Sequence, residues 1–315
     1  MTKIINKFLS PLTKTYVRSS IWGKLLFMII MFLFVIFAFK GLKNGWKEGF
    51  EQNEKYVFKS GPDIYDDFYA EIYDYLVFNS LKDEYEVGEI INKTSPSSQS
   101  KVLDIGCGTG HHVAALSSRN INTIGIDISP AMIKKAKENF PDYKFKVADA
   151  LNGTAFESNS FTHILCMYFT IYYFKDKQQF FKNCYNWLIP GGYLLLHLVD
   201  RDQFDPILPP GNPLILVSPQ KYAKQRITST KVKFNDFAYA ANFELDEKND
   251  TAKFVEKFKN DSDGKVRKQE HTMYMPDLSV ITDEAQGVGF ILEGKINLLQ
   301  CQYEYQYVYI LMKPN

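Results

Sequence analysis

The feature that most constrains the fold is a regular alternation of apolar and amphipathic runs between residues 101 and 199. Five apolar runs predict strands at KVLDI, NTIGIDI, YKFKVAD, FTHILCMYF and YLLLHLV, and amphipathic runs between them predict helices. Strands that alternate with helices form a parallel sheet covered on both faces, because each parallel connection needs a crossover. The sequence therefore predicts a Rossmann-like, doubly wound α/β fold.

The remainder of the folded region predicts two additions to this sheet. Residues 201–275 carry prolines, aromatics and β-rich stretches around the turn sequence DSDG, which indicates an inserted β-rich cap with antiparallel strands. After a helix over 276–287, the runs ILEGKINLL and EYQYVYILMK predict two final strands that pair antiparallel. We therefore expect a mostly parallel seven-stranded sheet that ends in a hairpin and carries a small cap.

One segment near the start is too apolar for the surface of a globular domain. Leu25–Phe39 contains fifteen apolar residues without a charge. Extension through Lys24 to Ile21 gives a helix of ~28 Å, close to the thickness of a bilayer core, because a lysine can reach the interface. The following residues offer no convincing signal-peptide cleavage site. We predict a basic tail over 1–20, a transmembrane helix over 21–39, a linker over 40–61 and the folded domain over 62–315.

Charge and cysteine content restrict the function. Residues 1–50 carry eight Lys or Arg and one acid, which leaves 29 basic and 35 acidic side chains for the rest of the chain. A domain of net negative charge is a poor surface for a phosphate backbone, so we expect no nucleic-acid partner. The four cysteines are widely spaced, which favours reduced thiols, and no His or Cys spacing suggests a metal site.

Three glycines follow the first predicted strand at the sheet edge where doubly wound folds bind ligands. Gly106, Gly108 and Gly110 have the spacing G-x-G-x-G, which is neither the dinucleotide pattern G-x-G-x-x-G nor a phosphate loop. Asp127 ends the second strand, where a carboxylate can accept hydrogen bonds from both ribose hydroxyls, and Ile128 can lie on an adenine face. Asp149 ends the third strand and could bind an adenine amino group. Together they favour a nucleoside ligand.

Four sequence segments together resemble the class I S-adenosylmethionine-dependent methyltransferases of the small-molecule type. They are VLDIGCGTG, IGIDISPAMIKKAK, VADA and LIPGGYLLL, and the resemblance covers about residues 62–200 and 276–313. It implies S-adenosylmethionine as the methyl donor. It also implies that the three glycines line its methionine moiety, that Asp127 holds the ribose and that Asp149 with Ala150 contacts the adenine. Asp104 would lie beneath the glycines and orient them.

The same resemblance suggests residues around the reacting groups. The helix YDDFYAEIYDYL is similar to the leading helix that closes over the donor in this family, which makes Tyr65 and Tyr69 candidates. The stretch from Met167 to Tyr173 would face the transferred methyl group and lacks the N-P-P-Y-type motif of enzymes that methylate nucleic-acid amines. His197, near the end of the fifth strand, is a candidate general base, although a strand histidine is also typical of a protein core.

We therefore expect a methyltransferase domain over 62–315 that acts by in-line displacement on a small-molecule or lipid-like acceptor. Correct alignment and exclusion of water supply much of such catalysis, so a dedicated base is optional. Two alternatives are a membrane-tethered binding or scaffold protein that keeps the fold without turnover, and an NAD-dependent oxidoreductase. The G-x-G-x-G spacing and the final hairpin argue against the oxidoreductase.

The expected topology is a single-pass membrane protein whose catalytic domain faces the cytosol, because the implied donor is made there. Asn92, Asn152, Asn249 and Asn260 begin N-x-[ST] sequons. A glycan on Asn152, three residues after Asp149, would crowd the predicted adenine pocket, so we expect these sequons to be unused.

The topology is tested by expressing the full chain in eukaryotic cells and treating isolated membranes with glycosidase, protease or alkali. We expect protein that resists alkaline extraction, carries no glycan and is digested from the cytosolic side. Protease-protected, glycosylated protein would reverse the orientation, and alkali-extractable protein would remove the anchor.

Overall fold

The computed structural model describes residues 22–24, 55–208 and 219–315. Contacts divide the chain into two compact units, Met1–Glu51 and Gln52–Asn315. Of the first unit only residues 22–24 are described, and they are helical. The basic tail, most of the predicted linker and all but residues 22–24 of the predicted transmembrane helix therefore lie outside the described residues. Within the described ranges, every helix is too short or too polar to cross a membrane.

The second unit contains the strands and helices on which the site is built. The strands are β1 (Tyr56–Ser60), β2 (Lys101–Ile105), β3 (Asn122–Asp127), β4 (Lys144–Val147), β5 (Phe161–Cys166), β6 (Leu188–Val199), β7 (Ser229–Lys233), β8 (Phe237–Asp246), β9 (Thr251–Asn260), β10 (Val266–Tyr274), β11 (Ile291–Asn297) and β12 (Gln306–Met312). The α-helices are α1 (Asp67–Leu76), α2 (Ser80–Thr94), α3 (His111–Ser117), α4 (Pro130–Asn139), α5 (Thr170–Tyr173), α6 (Lys177–Trp187) and α7 (Leu278–Val288).

The main sheet has seven strands in the order β11-β12-β6-β5-β2-β3-β4. The five strands β2 to β6 are parallel to one another. Strand β12 is antiparallel to both of its neighbours, β6 and β11. The predicted doubly wound sheet with a C-terminal antiparallel hairpin is confirmed. Strand order reverses between β2 and β5, and such a reversal opens a crevice at the carboxyl ends of the strands.

Both faces of this sheet are buried, which explains the nearly continuous apolar strands. On β5, Ile164 and Cys166 join one core cluster with Phe180 and Trp187 of α6. Leu165, between them, joins the opposite cluster with Val87 and Ile90 of α2. Successive strand side chains point to opposite faces, so a strand covered on both sides needs apolar residues at every position.

Local signals place the helix ends as the sequence predicts. Ser129 caps α4 through its hydroxyl, which accepts a hydrogen bond from the Met132 N–H at 3.1 Å, and Pro130 occupies the first helical position. Asp176 caps α6 in the same way, accepting from the Gln179 N–H at 2.8 Å. These caps fix where the chain leaves the sheet edge that carries the site.

The segment Pro190–Gly192 lies inside a strand that follows its helix without a loop. Helix α6 passes directly into β6, which already contains these residues. They form an irregularity in the pairing of β5 with β6, with Gly191 at a φ of +74°. The Gly191 N–H still finds a partner because it donates to the Lys313 carbonyl at 2.8 Å.

A second sheet of five strands forms the cap, in the order β1-β10-β9-β8-β7. The strands β7 to β10 are antiparallel as predicted, and DSDG forms the turn between β9 and β10. The edge strand β1 pairs in parallel with β10, with Tyr56 opposite Val266. Residues 56–60 were expected to belong to the linker. The folded unit therefore begins earlier than the predicted boundary at residue 62.

Replacement of Gly110 by alanine tests the packing at the start of α3. Gly110 has a φ of +94°, and an added Cβ would lie 2.7 Å from the ring of Phe145 on β4. We expect Gly110→Ala to lower the free energy of unfolding by about 2–4 kcal/mol, from backbone strain and overpacking together. Gly88→Ala is the control, since nothing lies within 4 Å of its added Cβ, and it should be neutral or slightly stabilising. Equal denaturation curves for both variants would contradict this view of Gly110.

Candidate functional site

A cavity of about 620 Å³ lies between the carboxyl ends of the main-sheet strands and the cap. Gly106, Gly108 and Asp127 line it from the main sheet, and Phe254 and Met273 line it from the cap. It is located at the reversal of strand order, where folds of this type bind their ligands. The cavity therefore joins the predicted nucleoside site to the cap.

The glycine loop, residues 106–110, turns sharply between β2 and α3. Gly106 and Gly108 have φ values of +69° and +53°, in the left-handed region that favours glycine. An added Cβ at Gly106 would lie 2.5 Å from Thr170 Cγ2, so a neighbouring side chain also requires glycine there. At Gly108 the nearest atom is Tyr73 Cε1 at 3.6 Å, which leaves the backbone open toward the cavity.

Asp127 connects this loop to the end of β3. Its Oδ2 accepts a hydrogen bond from the Gly108 N–H at 3.1 Å, and its Oδ1 accepts from the Ser129 N–H at 2.8 Å. Burial raises the pKa of Asp127, and these backbone donors act in the opposite direction by stabilising the anion. Each carboxylate oxygen keeps acceptor capacity, which is the chemistry that a pair of ribose hydroxyls requires.

Helix α1 covers the glycine loop through a few polar contacts. The carboxylate of Asp74 accepts hydrogen bonds from Thr109 Oγ1 at 2.5 Å and pairs with His111 Nε2 at 3.0 Å. In addition, Ser129 Oγ donates to the Tyr65 carbonyl at 2.5 Å. Tyr65, Tyr69 and Tyr73 of this segment line the cavity, whereas Tyr75 is exposed to solvent. Of the three lining tyrosines, Tyr73 was not identified from the sequence.

Most of the predicted donor-binding residues line the cavity. They are Tyr65, Tyr69, Gly106, Gly108, Asp127, Ile128, Asp149 and Ala150. Asp104, Gly110 and Met167 are buried outside the lining. Asp104 lies at the end of β2 directly before the loop, and burial raises its pKa to about 7. Gly110 packs against Phe145, and Met167 belongs to the core on the α2 side of the sheet.

The structure places His197 in the core rather than in the cavity. The ring is fully buried, its Nδ1 bonds to the Tyr168 carbonyl, and its Nε2 lies 3.1 Å from Gln306 Oε1. Burial, with the nearby charge of Lys82, lowers the pKa of His197 to about 4. Both ring nitrogens are hydrogen-bonded and the side chain does not line the cavity, so His197 has the geometry of a structural residue. This corrects its predicted position at the reacting groups.

The cap contributes a buried carboxylate that sequence reasoning missed. Glu256 on β9 is fully buried, and four side chains bond to its oxygens. They are Tyr69 at 2.9 Å, Tyr239 at 2.7 Å, Gln269 at 2.6 Å and His271 at 2.8 Å. Burial alone would raise the pKa of Glu256, but the hydrogen bonds from His271, Tyr239 and Gln269 outweigh it and lower the pKa. The group is therefore an anion held by the cap and α1.

His271 links this carboxylate to the cavity. Its Nε2 faces Glu256, its Nδ1 lies 2.8 Å from the Tyr173 hydroxyl, and the ring lines the cavity. The sequence contained a signal for it, because Arg267, Gln269 and His271 alternate along one face of β10. Polar residues at every second position of a strand whose other face is exposed indicate a buried polar network.

Fold and site together define the class I methyltransferase architecture, and comparisons with known proteins agree. Residues 103–196 match the family model described as a methyltransferase domain. A methyltransferase from Clostridium acetobutylicum, described as S-adenosylmethionine-dependent, superposes with a TM-score of 0.60 at 16% identity, over 79% of this chain and 98% of its own. The CcbJ methyltransferase from Streptomyces caelestis gives 0.61 at 13% identity, over 80% and 98%.

Two curated relatives share sequence with part of the chain. Phosphoethanolamine N-methyltransferase 1 of Arabidopsis thaliana is 32% identical over 113 residues, 34% of this chain and 23% of that protein. Trans-aconitate 2-methyltransferase of Methylobacterium radiotolerans is 28% identical over 101 residues, 31% of this chain and 38% of that protein. The matches thus span less than half of these relatives. Residues 103–196 thus match a methyltransferase domain, as the sequence predicted, and the solved structures show that the chain shares the fold of S-adenosylmethionine-dependent methyltransferases.

A charged cluster behind the glycine loop joins α3 to α2. His112 Nε2 lies 3.2 Å from Glu86 Oε2, and the same carboxylate accepts from Lys82 Nζ at 2.6 Å. Burial opposes the charge of His112, but Glu86 and Asp83 outweigh it and raise its pKa to about 9. A histidine with a raised folded-state pKa stabilises the fold below its unfolded pKa of about 6.5, and this contribution disappears as the pH rises through the folded pKa.

Stability should therefore depend on His112 in alkaline solution. We expect the free energy of unfolding of the wild type to exceed that of His112→Gln by about 1–3 kcal/mol more at pH 6.5 than at pH 9.5. The measured quantity is the difference between the two proteins at each pH, from denaturant unfolding, so that other titrating groups cancel. A difference that stays constant with pH would show that His112 is uncharged in the folded protein.

Proposed function

We propose that this protein transfers the methyl group of S-adenosylmethionine to a small-molecule acceptor inside the cavity between sheet and cap. The observation that supports this most directly is the continuity of that cavity, which reaches from Gly106 and Gly108 of the glycine loop to Phe254 and Met273 of the cap. Donor and acceptor can thus meet in one enclosed volume. Alignment of the two and exclusion of water are what this reaction asks of a protein.

The residues of the main-sheet edge fit the donor. The open backbone at Gly108 admits a close ligand, and Asp127 presents two carboxylate oxygens beside it. Asp149 and Ala150 follow β4 and line the same cavity, next to the exposed side chain of Ile128. When bound, S-adenosylmethionine supplies an activated methyl group, so the protein needs no metal or redox group for the transfer itself.

The size and position of the cap support a small acceptor. The cap strands and the segment Phe204–Leu208 line the cavity together with the glycine loop, and its volume of about 620 Å³ suits small ligands. The two curated relatives are named after chemically different acceptors, phosphoethanolamine and trans-aconitate, so their names do not identify the acceptor here.

For localisation we propose, from the sequence, a protein anchored in a membrane by one helix. The apolar run Leu25–Phe39 supports a single transmembrane helix over 21–39. The cytosolic origin of the donor supports a catalytic domain on the cytosolic side. Such an anchor would keep the enzyme near lipid-like acceptors and would equally allow soluble ones.

Donor binding is tested at Asp127. Removal of its carboxylate takes away a charge-assisted acceptor of the ribose hydroxyls, so we expect Asp127→Ala to weaken S-adenosylmethionine binding by ~1.5–3 kcal/mol, about tenfold to over a hundredfold. Isothermal calorimetry measures the affinity. The control is Asp142→Ala, an exposed acid before β4, which should leave the affinity unchanged. An unaltered affinity of Asp127→Ala would end the ribose assignment. Transfer itself is tested by incubation with methyl-labelled donor and fractionated metabolite extract.

A further inference from the structure

The charge of the cavity wall is unusual for a site that would take an anionic acceptor. Among the lining residues that the structure describes, three are carboxylates (Asp127, Asp149 and Asp205) and none is Lys or Arg. The segment 209–218, which follows the lining residue Leu208, contains no charged residue in its sequence. The described part of the wall therefore carries carboxylates and no Lys or Arg.

Cations close to the wall are engaged by protein groups. Lys82 Nζ lies 5.3 Å from the ring centroids of the lining residues Tyr168 and Tyr303, and it donates to Glu86 at 2.6 Å. Lys177 Nζ donates to the carbonyls of Phe174 and Tyr274 at 2.8 and 2.7 Å, and burial lowers its pKa to about 8. The Arg226 guanidinium stacks on Phe204 and Phe243, and it donates to the carbonyls of Arg201 and Phe204 at 2.8 and 2.6 Å. None of these three side chains is part of the lining.

Glu256 adds a further negative charge just behind the wall. Its oxygens bond to tyrosines, an amide and His271, and within the described residues no Lys or Arg forms an ion pair with it. Tyr69 and His271 lie between this carboxylate and the cavity. The ion-pair partner of Glu256 among the described residues is His271, which carries charge only when protonated. While His271 is neutral, the buried carboxylate attracts a cation and repels an anion, because the surroundings screen charge poorly.

The aromatic rings of the wall point to the same kind of ligand. Tyr65 contacts the rings of Tyr69 and Tyr173 edge to face, at centroid distances of 5.6 and 6.1 Å, and Tyr69 contacts Tyr73 at 5.8 Å. All four tyrosines line the cavity. Such ring clusters bind ammonium groups through the negative potential of their faces, and the gain grows when water is excluded.

We infer that the acceptor is an amine, protonated in solution and carrying no phosphate or carboxylate, and that Tyr173 and His271 take up the proton that this amine loses. This inference rests on the proposed function and specifies its acceptor. A phosphate or carboxylate in this cavity would lose its hydration without meeting a cation, at a cost of several kcal/mol. The acceptor therefore differs in charge from phosphoethanolamine and trans-aconitate.

The side chains provide a continuous path for the proton. The Tyr173 hydroxyl lies 2.8 Å from His271 Nδ1, and His271 Nε2 lies 2.8 Å from Glu256 Oε2. With Nε2 donating to the carboxylate, Nδ1 is the free acceptor of the neutral ring and receives the Tyr173 O–H. Tyr65 makes a further hydrogen bond to Tyr173. Tyr173 is the group that touches the acceptor, and His271 and Glu256 act through it.

The proton is transferred before methylation. The ammonium nitrogen gives one proton to Tyr173 Oη while the Tyr173 proton moves to His271 Nδ1, so that an imidazolium forms beside the Glu256 carboxylate. The freed lone pair of the amine then forms the new bond to the methyl carbon, and the carbon–sulfur bond of the donor breaks with its electron pair remaining on sulfur. The imidazolium returns its proton to solvent when the product leaves. Burial raises the pKa of Tyr65, Tyr69, Tyr173 and Tyr239, the hydroxyls around His271 and Glu256, so these groups serve as neutral partners.

Charge preference is tested first by binding. The full chain is saturated with S-adenosylhomocysteine, and calorimetry compares phenethylamine with 3-phenylpropanoate, which have a similar body and opposite charge. We expect the amine to bind at least tenfold more tightly, and Glu256→Gln to reduce this ratio. A carboxylate that binds as tightly as the amine would overturn the inference.

The acceptor class is tested by transfer. Metabolite extract is separated on ion exchangers into cationic, neutral and anionic pools, and each is incubated with the full chain and methyl-labelled S-adenosylmethionine. Label transfer in the cationic pool is the expected result. Transfer confined to the anionic or neutral pool would overturn the amine and leave the proposed function intact, whereas no transfer in any pool, with donor binding retained, would overturn both.

The relay is tested by the pH profile of transfer in the active pool. We expect Tyr173→Phe and His271→Gln to slow transfer ~10²-fold near neutral pH while the affinity for S-adenosylhomocysteine stays within twofold. The pH at which the rate rises should shift in Glu256→Gln. Tyr75→Phe, at an exposed position on α1, is the control and should behave as wild type. A rate lowered equally at every pH would show that these residues only support the fold.

Discussion

The arrangement of the cavity depends on the hydrogen bonds that surround the ionised carboxylate of Glu256. A fully buried anion is stable only when donors surround it, and its four donors come from α1, β8 and β10. The leading helix and the cap therefore both contribute donors to this carboxylate, and Arg267 adds an ion pair to Asp66 at the start of α1. Because α1 also contacts the glycine loop through Asp74, the same network fixes the cap over the strand ends. Loss of the carboxylate would leave these four side chains without their shared acceptor and would loosen the wall of the cavity.

The sequence predicted those parts of the fold that local patterns encode. Alternating apolar runs indicated the order of strands and helices, and the positions of Gly106, Gly108 and Asp127 indicated the strand ends that line the cavity. The Glu256 network was not predicted because its members are far apart in sequence. Tyr69 and Glu256, for example, are separated by 187 positions. His197 shows the converse. Its place near a strand end suggested chemistry, but only the packing of Tyr168 and Gln306 around it reveals that both ring nitrogens are engaged.

Electrostatics divides the site into two regions of different character. Near the glycine loop, burial raises the pKa of Asp104 and Asp127, and backbone N–H groups compensate at Asp127. On the other side of the loop, Lys82 and His112 outweigh the burial of Glu86 and lower its pKa to about 2. The charges of Lys82 and His112 lie behind the loop, where they join helices α2 and α3. The described part of the cavity wall carries carboxylates and no Lys or Arg, which agrees with the amine acceptor inferred above.

The parallel pairing of β1 with β10 has a mechanical consequence. The chain enters the folded unit through an edge strand of the cap, and the register from Tyr56–Val266 to Ser60–Glu270 holds that strand along its whole length. Tension on the residues before Tyr56 would act along the axis of this strand. It would load the hydrogen bonds between β1 and β10 in shear, all at the same time, and would not break them one after another. His271, which lines the cavity, follows Glu270 on β10, so the register that would carry the load ends next to a residue of the cavity wall. A force applied at the N-terminal side of β1 would therefore act on the cap first, and through the cap on the cavity.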